Sequence, residues 1–238
     1  MEEAKRTEGA LPKVQLAEEL LNVELVPGDL EKVTRIGSQM ENTVRNEIIQ
    51  YLCRNIDIFA WTPQDWEGLD ANLITHHLNI NPSVKSVKQK KRYFRPEKDK
   101  IIQAEIDKLM TAGYIQEIQF PEWLSNVVLI PKLGGKLRMC IDFRDLNKAC
   151  PKNFYPLPQI DQLVDSTSGC DLLSMVDALQ GYHQIMLALE NCKRVNFITF
   201  TDIFCYVAQP FGLKNADATY QRWVDKISHS QIEKNVEV

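Results

Sequence analysis

The chain has 238 residues, of which 44% are hydrophobic and 25% are charged, and its net charge at pH 7 is −4. This composition is ordinary for a globular protein of one large or two small domains. No run of about 18 apolar residues is present to span a bilayer, and the first residues lack the basic-then-apolar layout of a signal peptide. We therefore expect an intracellular protein with no membrane partner, and the sequence does not choose between cytoplasm and nucleus.

The cysteines and histidines do not predict a metal site. The six cysteines are scattered without a C-x-x-C pair, so we expect free thiols. His76 and His77 are adjacent, and their side chains therefore point apart in either a helix or a strand. His183 and His229 stand alone in the sequence.

The basic side chains are concentrated in one short segment. Residues 82–100 hold 8 basic and 2 acidic side chains, whereas residues 1–81 hold 7 and 14. Such a run, with Tyr93 and Phe94 inside it, is either a solvated linker or a segment that lies against nucleic acid. In the second case the cations displace counterions from phosphates and the aromatic rings stack on bases. The candidate phosphate contacts are Lys88, Lys90, Lys91 and Arg92.

The N-terminal third of the chain predicts one helix. Residues 1–37 are interpreted as a polar connector with little independent fold, followed by a region at residues 38–95 that contains this helix and the basic run. Residues 38–41 have the S-x-x-E form of a capping box. Apolar residues then recur at four-residue spacing, which predicts a helix of about 15 residues ending near Asn55. These apolar residues are Met40, Val44, Ile48 and Leu52.

Residues 96–238 alternate between helical and extended patterns. Pro96 stands at a first helical position, Ile102, Ile106, Leu109 and Met110 repeat at helical spacing, and Gly113 supplies a stop. Further helices are expected at 160–164 and 216–227. Strands are expected at 77–80, 127–130, 137–143, 172–177, 185–189, 195–199 and 203–207, with a tight turn at Gly134-Gly135. Short hairpins mixed with helices predict the α+β class.

Three motifs follow one another in this part of the chain. Residues 136–148 read KLRMCIDFRDLNK, residues 173–185 contain LSMVD and GYHQI, and residues 209–222 read QPFGLKNADATYQR. In this order and spacing they resemble the motifs of reverse transcriptases, particularly those of plant gypsy-type LTR retrotransposons. The resemblance extends less specifically upstream to residue 36. It implies the fingers and the N-terminal part of the palm of a right-hand polymerase.

The resemblance implies roles for residues that bind metal and nucleotide. Asp177 corresponds to a catalytic carboxylate that binds Mg²⁺, although an Asp after an apolar strand is also an ordinary strand cap. Tyr182 corresponds to the steric gate against a ribose 2′-hydroxyl, with a core tyrosine as the alternative. Arg138 corresponds to the arginine that grips the triphosphate, and Lys132 and Lys136 add charge there.

The third motif implies contacts with the incoming base and with the nucleic acid. Phe211 and Gly212 correspond to the loop under the incoming nucleotide, where glycine permits close backbone approach. Lys214, Gln221 and Arg222 would face template or primer. The family pattern has a glycine at the position of Asp217, whose carboxylate adds negative charge near the site.

The family reaction is addition of a deoxynucleoside triphosphate to a DNA primer on an RNA template. The family's second carboxylate cluster, Y-x-D-D, would follow Val238, and no Asp-Asp pair occurs in the chain. We therefore expect a reverse transcriptase fragment that is truncated before this cluster and inactive by itself. The alternatives are a non-catalytic remnant that binds nucleic acid and an inert relic of a transposable element.

Overall fold

The computed structural model describes residues 18–62, 65, 68–132, 135–178 and 180–238. Contacts divide the chain into two units, with the boundary between Trp61 and Thr62. No helix within these ranges is long and apolar enough to cross a membrane. Gly134 of the predicted turn and residues 1–17 of the predicted connector lie outside the described residues.

The first unit contains a hairpin where the sequence predicted little independent fold. Strands β1 (Leu20–Glu24) and β2 (Val33–Gly37) pair antiparallel along their whole length. Between them Gly28 has a φ of +82°, which favours glycine, and its N–H donates to Glu24 Oε2 at 3.0 Å. Among the described residues each short strand pairs only with the other, so the hairpin depends on a pairing that single-segment patterns do not show. The predicted divisions after residues 37 and 95 stay predictions.

Helix α1 (Asn42–Arg54) confirms the predicted helix and its end at Asn55, but not the capping box. Its N-cap residue is Glu41, and no side chain caps the helix there. Ser38 lies three residues before this cap, and its N–H donates to the carbonyl of Glu19, which extends the β1–β2 ladder. A 3₁₀ turn at Ile56–Ile58 follows the helix.

The second unit is built on a five-stranded mixed sheet. The strands of this unit are β3 (Thr75–His76), β4 (Ile115–Glu117), β5 (Ser125–Pro131), β6 (Leu137–Ile141), β7 (Met186–Leu187), β8 (Asn196–Ile198) and β9 (Ile203–Tyr206). The sheet has the order β4-β9-β8-β5-β6, in which β5 and β8 run parallel and the other neighbours antiparallel. Strands β3 and β7 form a separate parallel pair. The mixture of strands and helices agrees with the expected class.

Both predicted hairpins of the sheet are present. Strand β5 pairs with β6 so that Val127 lies opposite Ile141. Strand β8 pairs with β9 so that Phe197 lies opposite Phe204. Val127 and Phe197 are almost completely buried, which places the core on one face of these two hairpins.

Helix α2 (Pro96–Thr111) confirms the predicted helix, although Met110 of its predicted apolar face is exposed. Pro96 is in its first turn, and Ile102, Ile106 and Leu109 are its buried residues. The helix ends in a Schellman motif, in which Tyr114 N–H donates to the carbonyl of Leu109 and Gly113 N–H to that of Met110. Gly113 has a φ of +71°, the conformation that this motif requires.

Four further helices complete the second unit, and two of them were predicted. They are α3 (Arg144–Ala149), α4 (Ile160–Ser166), α5 (Leu189–Cys192) and α6 (Ala216–Ser228). The predicted strand at 185–189 is largely wrong, because only β7 is extended there, between a 3₁₀ turn at Gly181–Gln184 and α5. The predicted strand at 77–80 is displaced to β3, because Asn79 has a φ of +51° and interrupts the extended backbone.

The buried strand predicted at residues 172–177 is wrong. The segment has no regular secondary structure, and its side chains are exposed, with Met175 at 86% and Val176 at 87% of full exposure. An apolar run forms a strand only where a neighbouring strand accepts and donates its backbone hydrogen bonds. No described strand lies beside this segment, so the apolar pattern alone does not make it extended and buried.

Candidate functional site

The candidate site centres on the ring of Tyr182. This residue lies in the 3₁₀ turn that follows Gln180, a residue in the left-handed region with a φ of +48°. The ring of Tyr182 packs edge-on against Phe211, at 4.8 Å between centroids, and against Tyr220, at 5.5 Å. Helix α6 supplies Tyr220, and the loop before this helix supplies Phe211.

Gly181 belongs to the same cluster through Tyr220, whereas Asp177 is an exposed side chain whose negative charge acts on the Tyr220 hydroxyl. A Cβ atom added to Gly181 would lie 2.8 Å from Cε2 of Tyr220, which explains why a glycine stands at this position. Burial raises the pKa of Tyr220, and the negative charge of Asp177 raises it further. Tyr220 also packs edge-on against Trp223, one turn further along the same helix.

The hydroxyl group of Tyr182 is hydrogen-bonded to Asp217, the residue at which the resemblance implied a glycine. It donates a hydrogen bond to Oδ1 of Asp217 in the first turn of α6. Burial raises the pKa of Tyr182, and the hydrogen bond to Asp217 adds to this effect. The pairing fixes the orientation of the ring, so Asp217 belongs to the site.

The residues present do not form a complete two-metal site. Two divalent cations about 4 Å apart require several carboxylates to bridge and neutralise them. Within the described part of the chain, no three His, Cys, Asp or Glu side chains come close enough to hold a metal ion. The metal-binding role of Asp177 therefore stays a prediction.

The three cations predicted to bind the triphosphate lie on the β5–β6 hairpin. Arg138 is exposed on β6 opposite Ile130. Lys132 and Lys136 flank the turn of the hairpin, where the N–H of Lys132 donates to the carbonyl of Lys136 at 2.7 Å. All three side chains are therefore carried by one element and exposed to solvent.

The loop that carries Gly212 and Lys214 is held by Asn147 of α3. Asn147 Nδ2 donates to the carbonyl of Gly212 at 2.8 Å, and its Oδ1 accepts the N–H of Lys214 at 2.8 Å. Gly212 has a φ of +90°, which favours glycine. The ammonium group of Lys214 donates to the carbonyl of Cys150 at 2.7 Å. The predicted contact of Lys214 with template or primer stays a prediction.

Gln221 and Arg222 lie on α6 and contact neighbouring protein groups. Gln221 Nε2 donates to Asp225 at 2.8 Å. The guanidinium group of Arg222 lies 4.9 Å from the ring centroid of Tyr155, a cation–π contact. Tyr155 in turn donates its hydroxyl hydrogen to Asp225.

The basic run is not a free linker in the structure, because it is paired with the sheet. Lys88 forms a parallel bridge with Leu124 at the start of β5. Lys91 Nζ donates to the carbonyl of Phe200 at 3.3 Å and lies 5.7 Å from the ring centroid of Tyr93. Lys88 and Lys90 are exposed, as is Tyr93.

Asp142 connects the basic run to the first motif, and the sequence analysis did not identify it. Its buried carboxylate accepts two hydrogen bonds of 2.7 Å from Arg144 and one of 3.1 Å from Arg92. The hydrogen bond from Arg144 is the main reason why the pKa of Asp142 falls to about 2. The D-x-R spacing of Asp142 and Arg144 was the available signal for this pair.

Comparison with known proteins identifies the second half of the chain. Residues 130–238 match the family model for "Reverse transcriptase (RNA-dependent DNA polymerase)". Over these 109 residues, somewhat less than half of the chain, the sequence is similar to that of reverse transcriptases. The match contains all three motifs, and it begins after the basic run.

Curated relatives of the chain include retrotransposon polyproteins. The Retrovirus-related Pol polyprotein from transposon 297 of Drosophila melanogaster is 29% identical over 170 residues, which are 69% of this chain and 16% of that protein. The Transposon Tf2-3 polyprotein of Schizosaccharomyces pombe is 30% identical over 132 residues, which are 56% of this chain and 10% of that protein. The chain thus spans only a small part of the length of these relatives.

Solved structures show that the fold is that of reverse transcriptases. The native crystal structure of Prototype Foamy Virus Protease-Reverse Transcriptase matches with a TM-score of 0.64 and 18% identity, over 84% of this chain and 26% of that chain. The foamy viral enzyme in complex with an RNA/DNA hybrid matches with a TM-score of 0.60 and 16% identity, over the same shares of the two chains. The mixed α/β arrangement of the second unit is therefore that of a reverse transcriptase.

The depressed pKa of Asp142 predicts how stability changes in acid. The charged carboxylate stabilises the fold above its unfolded pKa of about 4. This contribution is lost as the pH falls towards the folded pKa of about 2. We expect urea unfolding curves to show a larger loss of stability below about pH 4 for the unsubstituted protein than for Asp142→Asn.

The control for this prediction is Asp171→Asn, which changes an exposed carboxylate of the same type. We expect it to follow the pH dependence of the unsubstituted protein. If the free energy of unfolding depends on pH in the same way for Asp142→Asn and for the unsubstituted protein, the charge of Asp142 does not contribute to stability.

Proposed function

We propose that this chain serves in RNA-dependent DNA synthesis as part of a retrotransposon Pol polyprotein. The reaction is the addition of a deoxynucleoside triphosphate to the 3′-hydroxyl of a DNA primer on an RNA template. The main support is the match of residues 130–238 to the reverse transcriptase family model. The foamy viral protease-reverse transcriptase, whose fold is similar, has been solved in complex with an RNA/DNA hybrid, and this reaction produces such a hybrid.

The cluster around Tyr182 supports the proposed roles of the site residues. We assign the steric gate to Tyr182, whose ring is fixed by Phe211, Tyr220 and Asp217. A gate must be rigid, because it discriminates by crowding one hydroxyl group of the sugar. Asp177 would hold the catalytic metal beside it, and Arg138, with Lys132 and Lys136, would bind the triphosphate as a group of exposed cations.

We further propose that the 238 residues have no polymerase activity by themselves. Asp177 is the single carboxylate assigned to the metals, and the sequence contains no Asp-Asp pair. Phosphoryl transfer depends almost entirely on positioning and on charge stabilisation by the metals. An incomplete set of ligands removes both contributions.

A primer-extension assay tests this proposal. The protein is incubated with a labelled DNA primer on an RNA template, the four deoxynucleotides and Mg²⁺, beside an active reverse transcriptase as positive control. We expect no extended product, because one carboxylate cannot hold two cations about 4 Å apart. Magnesium-dependent extension that Asp177→Ala abolishes and Asp171→Ala preserves would contradict the proposal.

We also propose that the element is of the gypsy type and close to plant sequences. The support is the amino-acid sequence of the three motifs, in particular KLRMCIDFRDLNK and the segment from residue 209 to 222. A tree of aligned reverse transcriptase domains tests this assignment. Residues 130–238 are expected to group with plant gypsy-type elements, and residues 38–129, analysed separately, are expected to give the same grouping. Grouping with another lineage of LTR retrotransposons would show that the assignment is wrong.

A second candidate function is nucleic-acid binding without catalysis. The observation that favours it is the state of the basic run, in which Lys88 and Lys90 are exposed while the backbone is paired with the sheet. Tyr93, at 83% of full exposure, lies beside Lys91 and offers a ring on which a base can stack. The proposed partner is an RNA/DNA hybrid or a single strand of either. If the chain does not bind nucleic acid, it is an inert relic.

Salt-dependent binding of a labelled RNA/DNA hybrid, followed by fluorescence anisotropy, tests this function. Neutralising Lys88, Lys90 and Lys91 together to Gln should lower the slope of log affinity against log salt by up to about three, because fewer counterions are released. The matched control neutralises Lys32, Lys108 and Lys234 to Gln, which removes the same net charge elsewhere. Equal losses in both variants would show that binding follows net charge and not the basic run.

A further inference from the structure

We propose that Gln89 is a positioning residue for nucleic-acid binding by the basic run. Its side chain fixes the backbone of the run against the sheet, so that Lys88 and Lys90 project into solvent in a defined direction. This inference rests on the binding function proposed above for the basic run. It assigns a role to an uncharged residue that charge patterns in the sequence do not mark.

The first observation is the backbone pairing beside Gln89. The N–H of Gln89 donates to the carbonyl of Leu124 at 2.9 Å, and the N–H of Leu124 donates to that of Val87 at 3.0 Å. The basic run is therefore extended at this point and continues the sheet beyond the start of β5. In an extended chain, successive side chains point to opposite sides. Gln89 accordingly points inward, whereas its neighbours Lys88 and Lys90 are exposed.

The second observation is the number of hydrogen bonds made by the Gln89 side chain. Its Oε1 accepts the backbone N–H of Asn126 at 2.9 Å and the side-chain amide of Asn126 at 3.2 Å. Its Nε2 donates to the carbonyl of Asp142 and to Oδ2 of Asp145, both at 3.1 Å. The bond from Gln89 is the main reason why the pKa of Asp145 is lowered, with Lys148 contributing next. One side chain thus connects the basic run to β5, to the end of β6 and to α3.

The third observation is that Asn126 fixes the next residues of the run. Asn126 is only 2% exposed. Its Nδ2 donates to the carbonyl of Lys90 at 2.9 Å, and its Oδ1 accepts the N–H of Arg92 at 2.8 Å. The side chain of Arg92 then pairs with the buried carboxylate of Asp142. The backbone is therefore held at Gln89, Lys90 and Arg92 before any nucleic acid binds.

These contacts explain how a short basic run can bind without first becoming ordered. A flexible segment loses conformational entropy when it binds, and this loss lowers its affinity. A run whose backbone is already fixed loses less, and its lysines reach phosphates at a set spacing. Substitution of Gln89 should therefore weaken binding, although Gln89 carries no charge and need not touch the nucleic acid.

A double-mutant cycle tests the inference with the labelled RNA/DNA hybrid. Gln89→Met keeps the length of the side chain and removes its hydrogen bonds. We expect it to raise Kd by roughly fivefold, within the range for residues that share a network, and to lower the salt slope by about one. The matched control, Gln162→Met, makes the same change at an exposed position and should bind as the unsubstituted protein does.

The cycle is completed by Gln89→Met in a protein that already carries Lys88→Gln and Lys90→Gln. If Gln89 acts through these lysines, it has little further effect in that background. An equal loss in both backgrounds would overturn the inference and point to a role in folding alone. Unchanged binding by Gln89→Met would also overturn it, and the binding function would still stand if the lysine substitutions weaken binding. Absence of binding by the unsubstituted protein would end both proposals.

Hydrogen exchange of the unsubstituted protein gives a second test that does not require a variant to fold. The amide hydrogens of Gln89 and Arg92 are expected to exchange slowly without nucleic acid, because both are bonded to the sheet. Exchange at the rate of an unstructured peptide would show that the run is not ordered beforehand, and would overturn the inference.

Discussion

The arrangement of the second unit depends on strand β5 and its three neighbours. Ser125 and Asn126 pair parallel with β8, the rest of β5 pairs antiparallel with β6, and Leu124, just before the strand, pairs with the basic run. One strand therefore sets the relative positions of the exposed cations on the β6 hairpin and those of the basic run. Val127, which is almost fully buried, fixes which face of this strand turns to the core.

A polar network beside β5 provides specificity that an apolar core would not. Asn126 and Asp142 are buried, and an unpaired buried polar group costs about 1–3 kcal/mol. Here Gln89, Arg92 and Arg144 supply the partners, so the network is satisfied only when the basic run lies in this register. The same contacts lower the pKa of Asp142 and hold the run against the sheet, so fold stability and the proposed binding surface share one set of bonds.

The cluster around Tyr182 links two distant parts of the sequence by packing rather than by backbone pairing. Tyr182 meets Phe211 and Tyr220 edge-on, and Asp217 accepts its hydroxyl hydrogen. Gly181 permits the approach of Tyr220, since any side chain there would meet its ring. Asp217 stands where the resemblance implies a glycine, and the structure gives its carboxylate a specific contact.

The amino-acid sequence by itself determined the features that depend on neighbours along the chain. Helix α2 with its proline start and glycine end, helix α6, the hairpins β5–β6 and β8–β9, and the order of the three motifs were all predictable from local patterns. Only the tertiary structure decided that residues 172–177 are not a strand, that Asp217 binds Tyr182 and that Gln89 holds the basic run. Each of these depends on groups far apart in sequence, because backbone and side-chain polar groups take whichever partners the folded chain brings to them.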